Sequence, residues 1–120
     1  GGRLPSLPEW AACHGPCPPR AGRRRVELAA PGWDRWSRLG TGGQLWPSAA
    51  SLCRWLRDQG PGLLQGAAAL ELGAGTGAVG IFAAALGARR VVLSDGGKPA
   101  LLRLAADNAG ANQRAAMPAG

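Results

Sequence analysis

Two acidic residues and a group of glycines are the residues in this sequence best suited to binding chemistry. Glu71 ends a short apolar run, and Gly73, Gly75 and Gly77 follow it at alternating positions. Glycine tolerates a positive φ and has no Cβ, so a turn built from it lets a ligand approach the backbone closely. An acidic side chain just before the turn favours a cationic or amino-acid-like group and repels a pyrophosphate. This segment therefore predicts a ligand site at the end of a buried strand.

A second carboxylate ends a second apolar run. Residues 91–93 are Val, Val and Leu, and Asp95 follows them at a spacing of 18 residues from Gly77. In nucleoside-binding α/β folds, an acidic residue about 20 residues beyond the glycines accepts hydrogen bonds from the ribose hydroxyls. Asp95 also begins an Asp-Gly dipeptide, so starting a turn is a compatible alternative role. For Glu71, the alternative to ligand binding is to cap the following helix.

The elements that must position both carboxylates follow from the apolar periodicity. A strand before the glycines, a helix over about 78–86 that ends at Gly87, and the strand 90–95 form a βαβ unit. Pro99 suits the first turn of a further helix. Its apolar stripe is formed by Leu101, Leu104, Ala105 and Asn108. We therefore predict an α/β fold whose ligand lies at the carboxyl ends of the strands.

A further helix is expected upstream, over about 48–59. Pro47 suits the entry of this helix, Ser48 is a candidate cap for its first amides, and Cys53 falls on its apolar stripe. By composition alone, Trp46 would anchor the helix entry as a large apolar side chain. The predicted order of elements is helix, then β-α-β-α.

Together these segments resemble class I, seven-strand methyltransferases that use S-adenosyl-L-methionine. The segment 71–77, Glu-Leu-Gly-Ala-Gly-Thr-Gly, is similar to the first motif of that class. The Trp-Pro pair at 46–47 resembles one branch, the methyltransferase-like protein-lysine methyltransferases (family 16). The resemblance covers roughly residues 40–112. It implies a partial Rossmann-like class I methyltransferase fold and transfer of a methyl group to a lysine of a protein substrate.

The resemblance also implies which residues bind the cofactor. In this reading Trp46 contacts the cofactor, the glycine turn passes along its amino-acid and ribose part, and Asp95 holds the ribose. The implied cofactor-binding set is Trp46, Glu71, Gly73, Ala74, Gly75, Gly77 and Asp95. No residue of the chain is assigned a catalytic role.

The chain departs from the family in its extent. Family members continue through further strands, one of which ends in an acidic motif that helps to shape the substrate pocket, and nothing after Asn112 corresponds to them. We therefore expect the N-terminal, cofactor-binding part of a methyltransferase domain, with the later strands missing. Methyl transfer depends on positioning the nucleophile, so the catalytic competence of the chain alone stays open.

Residues 1–43 differ in composition from the rest of the chain, because Pro, Gly and Arg dominate them. We expect an irregular basic arm over 1–43 and the methyltransferase part over 44–120. The net charge is +7. A solvated arm is the simplest interpretation, while nucleic-acid binding through phosphate attraction and tryptophan stacking stays open, as does docking to an acidic protein.

Two other function classes stay open at this point. Gly75, Gly77 and Gly80 satisfy the dinucleotide pattern G-x-G-x-x-G, which is compatible with a fragment of an NAD-dependent oxidoreductase. A non-catalytic interaction module that binds through the basic arm is the second alternative.

The cysteines predict neither a metal site nor an oxidising compartment. Cys13, His14 and Cys17 supply too few ligands for a tetrahedral zinc site. The odd cysteine count and the lack of a signal-peptide pattern point to a reducing compartment, and no apolar run reaches the ~20 residues of a membrane span. We expect a cytoplasmic protein, and the basic run 23–25 leaves a nuclear location open.

Overall fold

The structure is a computed structural model of the chain, and it describes Val26 and residues 28–31, 39–59 and 61–116. Two parallel strands with helices around them make up the described part, which confirms the α/β fold. In chain order the elements are a 3-10 turn at Thr41–Gly43, helix α1 at Pro47–Asp58, helix α2 at Pro61–Leu64, strand β1 at Ala68–Leu72, helix α3 at Ala78–Ala85, strand β2 at Arg90–Ser94 and helix α4 at Pro99–Ala116.

The two strands form the predicted βαβ unit with α3 between them. β1 and β2 pair in parallel, with Leu70 opposite Val92. Since parallel strands end at the same edge of a sheet, the glycine turn after β1 and Asp95 after β2 lie side by side. α3 packs against one sheet face, whereas the opposite face exposes Leu70, Leu72 and Val92.

The hydrophobic core lies between α1, α3 and a stretch of chain near residue 28. Its buried members are Val26, Leu28, Cys53, Ala78, Ile81 and Phe82. Cys53 is fully buried, as its place on the apolar stripe of α1 predicted. Burial, and secondarily the charge of Glu71, raises the pKa of the Cys53 thiol to about 12. At neutral pH this thiol is therefore a protonated core side chain.

Part of the region expected to be a basic arm belongs to this core. Val26 and Leu28 are buried although residues 28–31 form neither helix nor strand. Sequence reasoning missed this packing because the two apolar residues stand among Arg, Pro and Gly without a periodic pattern. Most of the arm, including Cys13, Cys17 and the basic run 23–25, lies outside the described residues. The boundary at residues 43 and 44 thus stays a prediction.

The helix ends agree with the sequence expectations except at one cap. Pro47 is the first residue of α1, as predicted, but the N-cap is Trp46 and makes no capping hydrogen bond through its side chain. The prediction that Ser48 caps this helix is therefore wrong, because Ser48 already lies inside its first turn. Gly87 follows α3 with a φ of +107° and fulfils the predicted terminating role.

Candidate cofactor site

An open cleft of about 580 Å³ lies at the carboxyl edge of the two strands. Its walls are the glycine turn, the end of β2 with the start of α4, and the chain from Leu39 to Leu52. The cleft brings together six of the seven residues that the sequence predicted as a site: Trp46, Glu71, Gly73, Ala74, Gly75 and Asp95. Gly77 is the exception, because it is buried beside the cleft.

The glycine turn needs glycine at all three alternating positions, but for different reasons. Gly73, Gly75 and Gly77 have φ values of +66°, +53° and +84°, in the left-handed region that other residues rarely adopt. A Cβ on Gly73 would meet no atom within 4 Å, whereas a Cβ on Gly75 would lie 2.8 Å from the carbonyl oxygen of Gly42. A Cβ on Gly77 would face the core, 3.1 Å from Cδ1 of Leu93. Of the three glycines, only Gly73 both lines the cleft and has open space where a Cβ would lie.

Gly80 explains why the chain also fits the dinucleotide pattern. It lies in the first turn of α3, where a Cβ would overlap Cδ2 of Leu93 and come within 3.1 Å of Val91. The glycine allows α3 to pack closely on the sheet, which is the role of the third glycine in that pattern. A packing role of this kind is independent of which ligand binds.

Glu71 caps the following helix, which was the alternative role, and it also lies in the cleft where a ligand role was predicted. Its Oε1 accepts a hydrogen bond from the amide of Gly80 at 3.1 Å, so it caps the first turn of α3. Its half-buried side chain also lines the cleft beside Gly73. Burial raises the pKa of Glu71, an effect that the hydrogen bond from Gly80 offsets only in part. Above this pKa the carboxylate gives the cleft a negative charge.

Asp95 ties the end of β2 to the glycine turn. Its Oδ1 accepts from the amide of Gly97 at 2.7 Å, which is the predicted turn-starting role, and its Oδ2 accepts from the amide of Gly75 at 2.9 Å. Because each carboxylate oxygen has two acceptor positions, the side chain retains acceptor capacity toward the cleft. A backbone bond from the amide of Ala74 to the carbonyl of Ser94, at 2.9 Å, adds a second link between turn and strand.

Trp46 forms part of the opposite wall of the cleft. Its Nε1–H donates to the carbonyl of Thr41 at 3.1 Å, while 45% of the residue stays exposed. This hydrogen bond fixes the indole between the 3-10 turn and the start of α1. An aromatic surface held in this way is available for contact with a flat or apolar part of a ligand.

Two features of the site were missed by the sequence reasoning. Most of the stretch from Leu39 to Leu45 lines the cleft, although the predicted boundary placed residues 39–43 in the basic arm. The glycines at 40, 42 and 43 were the feature of the sequence that could have indicated this part of the cleft. Asn108 was placed on an apolar stripe, yet its buried carboxamide bonds to the carbonyl of Thr76 in the glycine turn at 2.8 Å. A polar residue on such a stripe was the signal there.

Parallel strands with acidic residues at their ends, around a glycine turn and a cleft at the carboxyl edge, are an arrangement typical of nucleoside-binding α/β folds. The model of the lysine methyltransferase family matches residues 31–118, and the chain belongs to that family. The resemblance found in the sequence is thereby confirmed. The family consists of enzymes whose methyl transfer depends in general on S-adenosylmethionine. The comparisons give no support to the oxidoreductase or interaction-module alternatives.

Individual relatives match over part of their length. The chain is 47% identical over 60 residues to the protein N-lysine methyltransferase METTL21A of Xenopus tropicalis, covering 50% of this chain and 27% of the relative. It is 47% identical over 72 residues to METTL21A of Danio rerio, covering 60% and 32%. It is 42% identical over 76 residues to EEF1A lysine methyltransferase 3 of Mus musculus, covering 63% and 31%. The chain thus spans about a third of the length of these relatives.

Two further observations concern membranes and metals. No helix within the described residues combines the length and the apolar character that crossing a bilayer requires. Across the same residues, no three His, Cys, Asp or Glu side chains come together as metal ligands. The Cys13 and Cys17 pair lies outside the described ranges.

Proposed function

We propose that this chain carries the S-adenosyl-L-methionine-binding part of a protein-lysine N-methyltransferase. The observation that carries the proposal is the cleft at the carboxyl edge of β1 and β2. Residues from three separate parts of the chain line this cleft. Glu71 and Asp95 lie there beside the glycine turn, in which Gly73 has no protein atom within 4 Å of where a Cβ would be. Membership of the lysine methyltransferase family supports the same reading.

The residues of the cleft suit the separate chemical groups of this cofactor. The ionised carboxylate of Glu71 favours the cationic, amino-acid end of the ligand, and the remaining acceptor positions of Asp95 suit the ribose hydroxyls. Gly73 and Ala74 supply backbone at the floor of the cleft, and the indole of Trp46 offers an apolar wall. When bound, S-adenosylmethionine supplies a methyl group on a sulfonium sulfur. The contribution of these residues is to bind and orient its carrier.

The acceptor is proposed by way of the relatives. METTL21A is named a protein N-lysine methyltransferase, and the mouse relative is named a lysine methyltransferase of EEF1A. We propose that the methyl acceptor is a lysine of a protein substrate here too, and that the reaction takes place in the cytoplasm. The basic run at 23–25 keeps the nucleus as a second location.

The proposal is tested by titrating the chain with S-adenosylhomocysteine, with NAD as the comparison ligand. We expect saturable binding that changes tryptophan fluorescence and raises the melting temperature, since a ligand that binds only the folded state stabilises it. Replacing Glu71 by Ala should weaken binding by about tenfold, the effect of losing one interaction with a charged group. Asp107→Ala, an exposed carboxylate on α4 away from the cleft, is the matched control and should leave binding unchanged.

Three outcomes would contradict the proposal. Preference for NAD over S-adenosylhomocysteine would favour a dinucleotide site. Equal binding by the wild type and the Glu71→Ala variant would place the ligand outside the cleft. No binding by a chain that circular dichroism shows to be folded would leave the cleft without the proposed ligand.

A further inference from the structure

Asn108 is a buried polar residue that joins three distant parts of the chain. It lies on α4 with 2% of its surface exposed. Its Nδ2 donates to the carbonyl of Thr76 at 2.8 Å and to the carbonyl of Ala29 at 3.0 Å. Its Oδ1 accepts from the amide of Ala29 at 2.7 Å. One carboxamide therefore holds both backbone groups of Ala29 and one backbone group of the glycine turn.

The position of Thr76 gives the third hydrogen bond a consequence for the cleft. Thr76 is buried and lies between Gly75 and Gly77, two residues with little intrinsic preference for one backbone conformation. Asp95 holds the turn at the amide of Gly75. Asn108 holds it at the carbonyl of the following residue, Thr76. The flexible turn is thus fixed from two sides, by a carboxylate from β2 and a carboxamide from α4.

The bonds to Ala29 extend this arrangement to the segment at 28–31. The carboxamide presents a donor and an acceptor side by side, as a backbone peptide does, and so pairs with both polar groups of Ala29. The neighbouring Leu28 is fully buried in the core. Undocking this segment would break two of the three hydrogen bonds of the Asn108 carboxamide at once.

We propose that Asn108 is a positioning residue that couples docking of segment 28–31 to the conformation of the glycine turn, and through that turn to cofactor binding. The coupling of the turn to cofactor binding rests on the proposed function. The coupling of segment 28–31 to the turn concerns the ligand-free chain alone. The docked segment thereby helps to preorganise a cleft that it does not line. Preorganisation raises affinity because less ordering remains to be done when the ligand binds.

The first test measures amide hydrogen exchange of the ligand-free chain, comparing the peptide that spans the glycine turn with a peptide from α1. Asn108→Leu should accelerate exchange at the turn by about tenfold relative to α1, the size of losing one buried hydrogen bond. A merely stabilising role would accelerate both peptides equally. Asp107→Leu places the same side chain on the exposed side of α4, outside the lining of the cleft, and should show no selective effect at the turn.

A second variant tests the coupling without altering Asn108, and it carries the test if Asn108→Leu fails to fold. Ala29→Pro removes the N–H that donates to Oδ1 of Asn108 and restricts the backbone of segment 28–31, while the Asn108 side chain is unaltered. It should also accelerate exchange selectively at the turn, by a smaller factor of about three. Ala30→Pro, the same change at the next position, leaves the bonds between Ala29 and Asn108 in place and should leave the turn unaffected. Unchanged exchange at the turn in both Ala29→Pro and Asn108→Leu would overturn the proposal.

The final measurement is the affinity for S-adenosylhomocysteine at a temperature where every variant is folded. Asn108→Leu should bind about tenfold more weakly and Asp107→Leu normally. A wild-type chain that binds no S-adenosylhomocysteine would refute the proposed function, while the exchange data would still decide the role of Asn108. Normal affinity in Asn108→Leu, with binding by the wild type, would overturn the last link of the coupling.

Discussion

The two ends of the glycine turn differ in what surrounds their glycines. At the strand end, Gly73 lines the cleft, and a Cβ there would meet no protein atom within 4 Å. At the helix end, a Cβ on Gly80 would overlap the side chain of Leu93 on β2. The same residue type thus provides access for a ligand at one end and close packing of helix on sheet at the other.

This difference shows that a glycine motif is not a single functional unit. Gly75 is an intermediate case, because it lines the cleft but an added Cβ would lie 2.8 Å from the carbonyl oxygen of Gly42. A side chain would therefore meet protein backbone at Gly75 and no protein atom within 4 Å at Gly73. Substitutions along the turn should therefore separate stability from ligand binding, and the first three predictions are ordered by the expected loss in free energy of unfolding.

The largest loss is expected for Gly80→Val at the helix end. The added side chain would overlap Leu93 and crowd Val91, and overpacking of this kind lowers the free energy of unfolding by about 3 kcal/mol. Urea denaturation measures the change. Gly62→Val is the matched control, since a Cβ on Gly62 in α2 would meet no atom within 4 Å, and it should change stability by less than about 0.5 kcal/mol. Equal effects of the two substitutions would refute a packing role for Gly80.

An intermediate loss is expected for Gly75→Ala. The substitution places a side chain at a φ of +53°, which destabilises by about 1 kcal/mol, and brings Cβ to 2.8 Å from the Gly42 carbonyl, for a total near 2 kcal/mol. Gly40→Ala provides the comparison, because Gly40 has a φ of +56° and open space around it. The difference in urea midpoint between the two variants isolates the contact with Gly42. Identical midpoints would show that this contact contributes nothing.

Gly73→Ala should lose little stability and much binding. Its φ of +66° predicts a loss of about 1 kcal/mol in the free energy of unfolding. Gly66→Ala should lose the same amount, since Gly66 has a φ of +73° and also lacks neighbours within 4 Å, but it does not line the cleft. Calorimetric titration with S-adenosylhomocysteine should show about tenfold or weaker binding only for Gly73→Ala. Equal affinities would place the ligand away from the open end of the turn.

The sequence predicted the parts of this site that have a local signature. Apolar runs ending in Glu71 and Asp95 predicted two parallel strands, and the spacing between them predicted the intervening helix. Both side chains lie at the cleft because parallel strands end at one edge. Each also has a structural bond to a backbone amide, from Gly80 and Gly75 respectively. The sequence named these structural roles as alternatives, and in the structure they coexist with a place in the cleft.

The missed parts depend on contacts between residues far apart in the chain. Asn108 bonds to Ala29 across 79 positions, and Gly75 packs near the carbonyl of Gly42, which lies in a segment without periodicity. Neither arrangement leaves a repeating pattern in the sequence, because each involves the backbone of a single residue rather than a row of side chains. The orientation of Gly77 toward the core was hidden for a related reason. Its positive φ is readable from the motif, but the direction of its missing Cβ depends on how α3 and α4 pack.

Glu71 lies in the cleft near Gly73 and accepts a hydrogen bond from the amide of Gly80. Its titration gives the smallest predicted change in the free energy of unfolding. Burial raises its pKa above the ordinary value of 4.5. Between these two pKa values the folded chain binds more protons than the unfolded chain, so the contribution of this group to stability falls as pH rises. It is fully present below the unfolded pKa and is lost as pH passes through the folded pKa. Glu71→Gln removes this titrating group. The free energy of unfolding of the variant should therefore rise relative to that of the wild type between pH 4 and pH 7.

The change should stay below about 1 kcal/mol, since solvent screens a half-exposed carboxylate. Urea denaturation of both proteins across this range measures it, with Asp107→Asn on the exposed side of α4 as the control. Parallel pH profiles for Glu71→Gln and the wild type would show that burial does not oppose ionisation of Glu71. The ionisation of Glu71, and with it the negative charge in the cleft, would then not depend on the packing of α3 against the sheet.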